Sequence, residues 1–392
     1  MKNKKVIIGF SGGLDTSFCT VYLKEKGYDV VTVTVDTGGF SEDELKEIEK
    51  KSKELGAVKH YSIDVQEEFY QKIISYIIKS NGFYEEVYPN MCSDRYIISE
   101  KMIRTAKKED TQYVCHGSTG QGNDQVRFDS AILSIEPEFK IIAPIRKLGI
   151  TREEEQDYLG KKGFPVSKEY KKYTINQNIF GYTHSGSEID NYKEPGEEAY
   201  AVCKKTKQDP EYVDLYFKKG VPVKINDKIM KGHEIIKKLN LIAGSHGFGK
   251  KLVVNNTIIG IKGRILFEAP GILAIIKAHT ALEKAVLTKE QYELSKIISN
   301  KYSNLLYSGK YYDPVVKNME KFFDSSQKNV TGNVKLKFHD NECMPVEIGS
   351  DYLLEAKEIA EYAQKASWKG KDAEGFIKLY TMQQKIWSIK NG

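Results

Sequence analysis

The sequence predicts an α/β protein: a doubly wound parallel sheet, then a second α+β domain, then a C-terminal helical tail. Three observations predict it. In the first third, short Val- and Ile-rich runs alternate with amphipathic stretches; glycine-rich segments directly follow two of those runs; and the alternation disappears near Lys168. Strands separated by helices join through right-handed crossovers, which gives a parallel sheet covered on both faces.

Lys5 to Phe10 is an apolar run closed by glycines, the pattern of a buried parallel strand. Thr16 to Lys26 sets Phe18, Val21 and Tyr22 on one helical face, and Gly27 stops it. Asp29 to Val35 reads as the second strand. Ser41 opens an acidic first turn (Glu42, Asp43, Glu44) of a helix reaching about Leu55. Val58 to Val65 is a third strand, Gln66 to Ile78 a helix, and Asn81-Gly82 a break. Ser93 to Lys108 is helical, Thr111 to Cys115 and Lys140 to Ala143 are strands, and Thr151 with Glu154 forms a capping box for a closing helix.

Residues 168–195 show little periodicity and read as a long loop or linker. Beyond it, Tyr212 to Ile225 reads as two strands turning at Lys219-Gly220, His233 to Leu241 as a helix and Leu252 to Ile261 as a strand. Ala281 to Leu305 is expected to be helical, Val334 to Phe338 and Met344 to Ile348 a strand pair, and Asp372 to Ile389 an amphipathic tail helix.

Composition narrows the class. At 40% hydrophobic and 29% charged, the 392 residues suit a soluble globular protein of two or three domains. The 60 basic and 54 acidic residues leave only +6, too diffuse for a dedicated nucleic-acid binder. No apolar run approaches the ~20 residues of a membrane helix. The apolar stretch after Lys5 is too short for a signal peptide, since Ser11-Gly12-Gly13 interrupts it. Five cysteines without a CxxC pair suit reduced thiols. The seven histidines are scattered, so no metal cluster is expected. A cytoplasmic enzyme with neither nucleic acid nor membrane as partner is the expectation.

Two segments carry chemistry. Ser11-Gly12-Gly13-Leu14-Asp15-Thr16-Ser17 lies between the first strand and its helix. Two glycines let the backbone turn sharply, and the helix directs its N–H groups and positive dipole end at the loop. Such a nest suits a phosphate or pyrophosphate. It is neither a Walker A loop nor a dinucleotide GxGxxG. The plainer alternative is a common turn in which Asp15 caps the helix. The second segment, His116-Gly117-Ser118-Thr119-Gly120-Gln121-Gly122-Asn123-Asp124-Gln125-Val126-Arg127, follows the strand ending at Cys115. Glycines and convergent polar groups at the carboxyl end of a strand stand where open α/β sheets bind ligands.

The first segment resembles the pyrophosphatase loop of the N-type ATP pyrophosphatases, which cleave ATP between the α and β phosphates and adenylate an oxygen. The second is very similar to HG[AS]TGxGNDQVRF, the signature of the argininosuccinate synthase family. Asp36-Thr37-Gly38, Ile142 to Arg146, Phe217 to Val223, Gly260 to Arg264 and Asp372 to Ile377 extend the agreement over nearly the whole chain. The resemblance implies an adenine nucleotide alpha hydrolase-like first domain over 1–167. It also implies a synthetase and multimerisation domain over 168–365 and an oligomerisation helix over 366–392, in a homotetramer. The implied reaction condenses citrulline with aspartate at the expense of ATP, with magnesium bridging the phosphates, and gives argininosuccinate, AMP and pyrophosphate through a citrullyl-AMP intermediate.

Residue by residue, the resemblance implies that Ser11 to Ser17 cradle pyrophosphate, with Gly9, Phe10, Val35 and Gly117 beside the nucleotide. Thr119, Asn123 and Asp124 match aspartate-binding positions. Tyr88, Ser93, Asn123, Arg127, Thr174 and Thr183 match citrulline contacts. Asp15 and Asp124 are the carboxylates expected to act in catalysis, Asp124 being a candidate to take the proton of the aspartate amine. Two positions depart from the family pattern. Asn255 stands where a glutamate is usual, and Phe267 where a tyrosine is; a one-residue slip would bring Asn256 or Glu268 there instead. The expectation is that citrulline is retained with a rearranged ammonium contact. An RNA-modifying adenylating ligase would call for a cysteine pair and a basic surface. A paralogue that only binds nucleotide would not be expected to keep both loops.

Overall fold

A computed structural model describes residues 4–164 and 172–392. Lys168, where the sequence puts its domain boundary, lies outside the described residues.

The first half follows the expected order. It runs β1 (Lys4–Gly9), α1 (Leu14–Glu25), β2 (Tyr28–Asp36), α2 (Glu42–Glu54), β3 (Lys59–Asp64), α3 (Gln66–Phe69) and, after a π-helical turn, α4 (Ser75–Ser80). Then come α5 (Asp94–Lys108), β4 (Tyr113–Cys115), α6 (Asp124–Ile135), β5 (Lys140–Ile142), α7 (Pro144–Leu148) and α8 (Arg152–Lys161). The five strands form a parallel sheet in the order β3-β2-β1-β4-β5. Val6, Ile7 and Ile8 of β1 and Val30, Val31 and Val33 of β2 are buried, as a sheet covered by helices requires. The strand order reverses between β1 and β4, where Ile8 pairs with Cys115. Both glycine-rich segments therefore leave the sheet at adjacent strand ends, the switch point at which such sheets open a crevice. Ser41 and Thr151 each close a capping box, as their spacing predicts.

The region expected to be one long loop contains a hairpin, β6 (Thr174–Asn178) and β7 (Gly181–Ser185). Its alternation was hidden because one face carries polar groups rather than core. Beyond it lie β8 (Glu211–Lys218), β9 (Val221–Ile225), β10 (Lys228–Ile229), α9 (Gly232–Ser245), β11 (Lys250–Asn256) and β12 (Lys262–Glu268). Next come α10 (Pro270–Val286), α11 (Lys289–Tyr307), α12 (Pro314–Ser326), β13 (Gly332–His339) and β14 (Glu342–Gly349). The helix expected over 281–305 is two helices, because Thr288 caps a new one with Gln291. The strand at Leu252 stops at Asn256 and returns as β12, since Gly260 turns the chain at φ +86°. These strands make two antiparallel sheets, β10-β9-β8-β13-β14 and β11-β12-β7-β6.

Two compact units divide the chain, one reaching Tyr352 and one spanning Leu353–Gly392. The second holds a short hairpin, β15 (Ala360–Glu361) and β16 (Lys365–Ala366), then α13 (Gly370–Tyr380) and α14 (Met382–Asn391). The tail is thus two helices broken at Thr381, not one.

Gly181 opens β7 at φ +139°, and a Cβ there would lie 2.0 Å from the carbonyl oxygen of Glu268. Gly181→Ala is therefore expected to cost more than ~1 kcal/mol of stability, seen as a lowered thermal midpoint. An unchanged midpoint would contradict the close approach.

Candidate active site

The first loop is shaped by its glycines. Gly12 takes φ +75°, and a Cβ there would lie 3.1 Å from Ile48 of α2. Gly13 is the N-cap of α1, with no side chain capping the helix; the leading N–H groups and the positive end of the dipole face the loop. Asp15, which the sequence allowed as a cap, lies inside the first turn instead. Ser17 Oγ donates to the Gly13 carbonyl at 2.7 Å and Lys51 Nζ to the Gly12 carbonyl at 2.6 Å. A cavity of about 330 Å³ between the loop and α2 is lined by Ser11, Gly12, Ile48, Lys50 and Lys51, with Glu47 and Glu54 at its edge. Phe10 lies at the end of β1, its carbonyl accepting from Thr34 at 2.7 Å, and Val35 is buried near the end of β2.

The second loop touches the first. A Cβ on Gly117 would lie 3.1 Å from that of Asp15, so only glycine allows this approach without a shift. Glu155 of α8, 2% exposed, also faces Asp15. Burial, and then the charge of Asp15, push the Glu155 carboxyl well above the usual range. The two carboxyls lie close enough that the charge of one disfavours that of the other. His116 braces the second loop: Nδ1 accepts from the Ser118 N–H at 3.2 Å and Nε2 donates to Asp129 at 2.8 Å.

At the start of α6, charge is concentrated. Asp124 accepts from Arg95 Nε at 3.0 Å and from Arg127 Nη1 at 2.9 Å. Burial raises the Asp124 carboxyl, but the Arg95 and Arg127 guanidiniums outweigh this and hold it below the usual range. Arg95 also reaches Asp94 Oδ1 at 2.8 Å and Asn176 Oδ1 at 3.1 Å. Arg127, 3% exposed, donates through Nε to the Tyr307 carbonyl at 3.0 Å, and its guanidinium lies 4.8 Å from the centre of that ring. Asn123 is held at both ends, donating to Tyr307 Oη at 3.1 Å and accepting from the Ile258 N–H at 2.9 Å.

The third sheet faces this cluster. Thr174, Asn176 and Asn178 alternate along β6; Asn176 pairs with Thr183, and Thr183 with Phe267. Phe267 pairs in turn with Lys251, four residues before Asn255. With a two-residue period, Thr174, Asn176, Asn178, Thr183, Phe267 and Asn255 share one face. Asn178 Nδ2 bonds Asp94 at 2.9 Å, which fixes that face toward α5. The Tyr88 ring meets Phe267 edge-on at 5.6 Å and Tyr307 at 6.0 Å. Ser93 Oγ and both amide atoms of Asn255 are buried and unpartnered among the described residues.

The structure thus gathers Gly9 to Ser17 with Gly117 at one end, and Tyr88, Asn123, Asp124, Arg127, Thr183 and Phe267 at the other. Thr119 stands exposed on the loop between them. Of the slipped alternatives, Asn256 is bound by Glu85, and Glu268 turns away to accept from the N–H groups of Ala201, Val202 and Cys203. Arg95, Asn176, Tyr307 and Lys51 escaped the sequence reading. Arg95 begins a helix like any surface arginine, and Tyr307 is one of 25 tyrosines; only the tertiary fold distinguishes them.

The Arginosuccinate synthase N-terminal HUP domain family model matches residues 5–165, and the Arginosuccinate synthase C-terminal domain model residues 173–387. The chain is 42% identical to the argininosuccinate synthase of Xylella fastidiosa, covering 100% of this chain and 99% of that one. It is 41% identical to that of Xanthomonas campestris, covering 100% of both. It is 40% identical to that of Methanocaldococcus jannaschii, covering 98% of each.

A carboxyl held low contributes fully above its ordinary range, and its contribution is lost as pH falls through the folded value. Arg95→Met removes one guanidinium from Asp124. The acid limb of the activity profile is expected to move to higher pH in this variant; an unmoved acid limb would contradict the assigned electrostatics.

Proposed function

We propose a division of labour among these residues from the premise that this chain belongs to the argininosuccinate synthase family. It is an ATP-dependent ligase that forms the C–N bond between citrulline and aspartate through citrullyl-AMP, in arginine biosynthesis. The observation that carries the residue assignment is the contact of the two loops at the switch point, Gly117 against Asp15.

A ureido carbon is a poor electrophile because two nitrogens donate into its carbonyl. Its oxygen attacks the α-phosphorus, the α–β bridging bond breaks, and pyrophosphate leaves. The aspartate nitrogen, its proton passing to the departing phosphate oxygen, then attacks the activated carbon, and AMP leaves with the oxygen. Ser11 to Ser17 receive the pyrophosphate on N–H groups and hydroxyls, with Gly9, Phe10, Val35 and Gly117 beside the nucleotide, so that charge developing on the leaving group meets fixed dipoles. No group of described side chains could hold a metal alone. The donors fit magnesium carried in on the phosphates, with Asp15 on the loop and Glu47 and Glu54 lining the cavity beside it as acidic side chains; bound there, it would neutralise phosphate charge.

Asp124, ionised between two guanidiniums, suits an ammonium anchor for aspartate rather than a proton acceptor. Asn123 and Thr119 complete the aspartate contacts. Arg127 takes the citrulline carboxylate, with Tyr88, Ser93, Thr174 and Thr183 around it. Asn255 and Phe267 offer the citrulline ammonium an amide oxygen and a ring face in place of a carboxylate and a hydroxyl. The buried, unpartnered Asn255 amide supports that reading. No helix of the described residues is long and apolar enough to cross a membrane, and we assign the enzyme to the cytoplasm. The functional divisions are 1–167, 168–365 and 366–392. Phe376, Leu379, Tyr380 and Trp387 of the tail helices are exposed, which supports a role in joining subunits of a homotetramer.

With citrulline labelled by oxygen-18 at the ureido position, the label is expected in the phosphate of AMP. Its retention in argininosuccinate or appearance in pyrophosphate would refute the activation step. Removal of residues 372–392 is expected to lower the mass in solution below that of a tetramer; an unchanged mass would refute the role of the tail.

A further inference from the structure

Tyr307 belongs to none of the segments that carry the resemblance, yet it meets three residues of the site, Tyr88, Asn123 and Arg127. It is the last residue of α11, and its ring stacks on Tyr84 with centroids 3.6 Å apart and planes within 5°. Its edge meets Tyr88, its face receives the Arg127 guanidinium, its carbonyl accepts from Arg127 Nε, and its hydroxyl accepts from Asn123 Nδ2. The second half of the chain thereby grips the start of α6 through both the backbone and the side chain of one residue.

The Asn123 bond constrains orientation. An amide side chain can rotate so that its oxygen and nitrogen exchange places. Here the Ile258 N–H requires the oxygen on one side and Tyr307 Oη accepts the nitrogen on the other. The Ile258 N–H decides which end is the oxygen, and Tyr307 Oη holds the other end in place. Arg127 is fixed in the same way, its planar fork tied through Nε to Tyr307 and through Nη1 to Asp124.

We propose that Tyr307 is a positioning residue: its hydroxyl pins the nitrogen end of the Asn123 amide, whose oxygen end the Ile258 N–H holds, in the place that receives the amino-acid substrates. This rests on the assignment of Asn123 to those substrates, so the test must separate the two claims. Tyr307→Phe removes the hydroxyl alone; the ring stack, the cation–π contact and the backbone bond to Arg127 remain.

The experiment is a double-mutant cycle of Tyr307→Phe and Asn123→Ala in the full chain, with kcat and KM measured for ATP, citrulline and aspartate. A neutral hydrogen bond of ordinary strength corresponds to about a tenfold change. Tyr307→Phe is expected to lower kcat/KM for the amino-acid substrates about tenfold, with the KM for ATP and the thermal midpoint unchanged. In the Asn123→Ala background it is expected to do nothing further, because the group it acts through is gone. Equal effects in both backgrounds, or a loss that follows the thermal midpoint, would overturn the positioning role. An Asn123→Ala variant with normal amino-acid kinetics would overturn the substrate assignment instead.

Discussion

One shared carboxylate organises the substrate end of this protein. Asp124 lies between the guanidiniums of Arg95 and Arg127, and each arginine is tied in turn to the second half of the chain, Arg95 to Asn176 and Arg127 to Tyr307. A partly buried cation left alone would be costly, and so would a carboxylate. Sharing one carboxylate between two cations, each with further oxygen partners, satisfies all three groups. The arrangement binds α5 to α6 and sets both helix starts against the polar face of the β6–β7 hairpin. The same charges thereby join α5, α6, the hairpin and the end of α11.

The other end of the crevice uses a different device. An anion cradle built from N–H groups and a helix dipole is compromised by an acidic residue in its first turn. The structure answers with Glu155, a buried carboxyl whose burial and proximity to Asp15 favour the neutral acid. Its neutral form adds no second negative charge beneath the loop. Lys51, reaching from α2 to the Gly12 carbonyl, adds a positive charge beside the cradle. Local electrostatics there are thus corrected by residues far apart in sequence.

What the sequence disclosed follows from these two designs. The parallel sheet was legible because its strands are buried on both faces and its helices begin with capping boxes at Ser41 and Thr151. The two loops were legible by their glycines, which the fold requires at Gly12 for its φ of +75° and at Gly117 for the approach of Asp15. The hairpin carrying Thr174 and Thr183 was not legible, since strands that line a polar site lack the apolar alternation by which strands are recognised. The first turns of α10 were missed for the opposite reason: Ile272 to Ile276 are apolar all round, so no amphipathic stripe marked them. Arg95 and Tyr307 act through partners some thirty to two hundred positions away, and nothing local distinguishes them from surface residues. Asn255 and Phe267 stood out in the sequence by their departure from the family pattern, while Asn256 and Glu268 are engaged with Glu85 and with the N–H groups of residues 201–203.

In the proposed reaction the two loops form one crevice in which citrulline must be present before ATP is cleaved. Pyrophosphate release from ATP and magnesium, with citrulline and aspartate omitted in turn, tests it most directly. The account predicts no release without citrulline, slow or single-turnover release with citrulline alone, and sustained release with equimolar AMP and argininosuccinate when both are present. Release indifferent to citrulline, or none in any combination while ATP still binds, would contradict it.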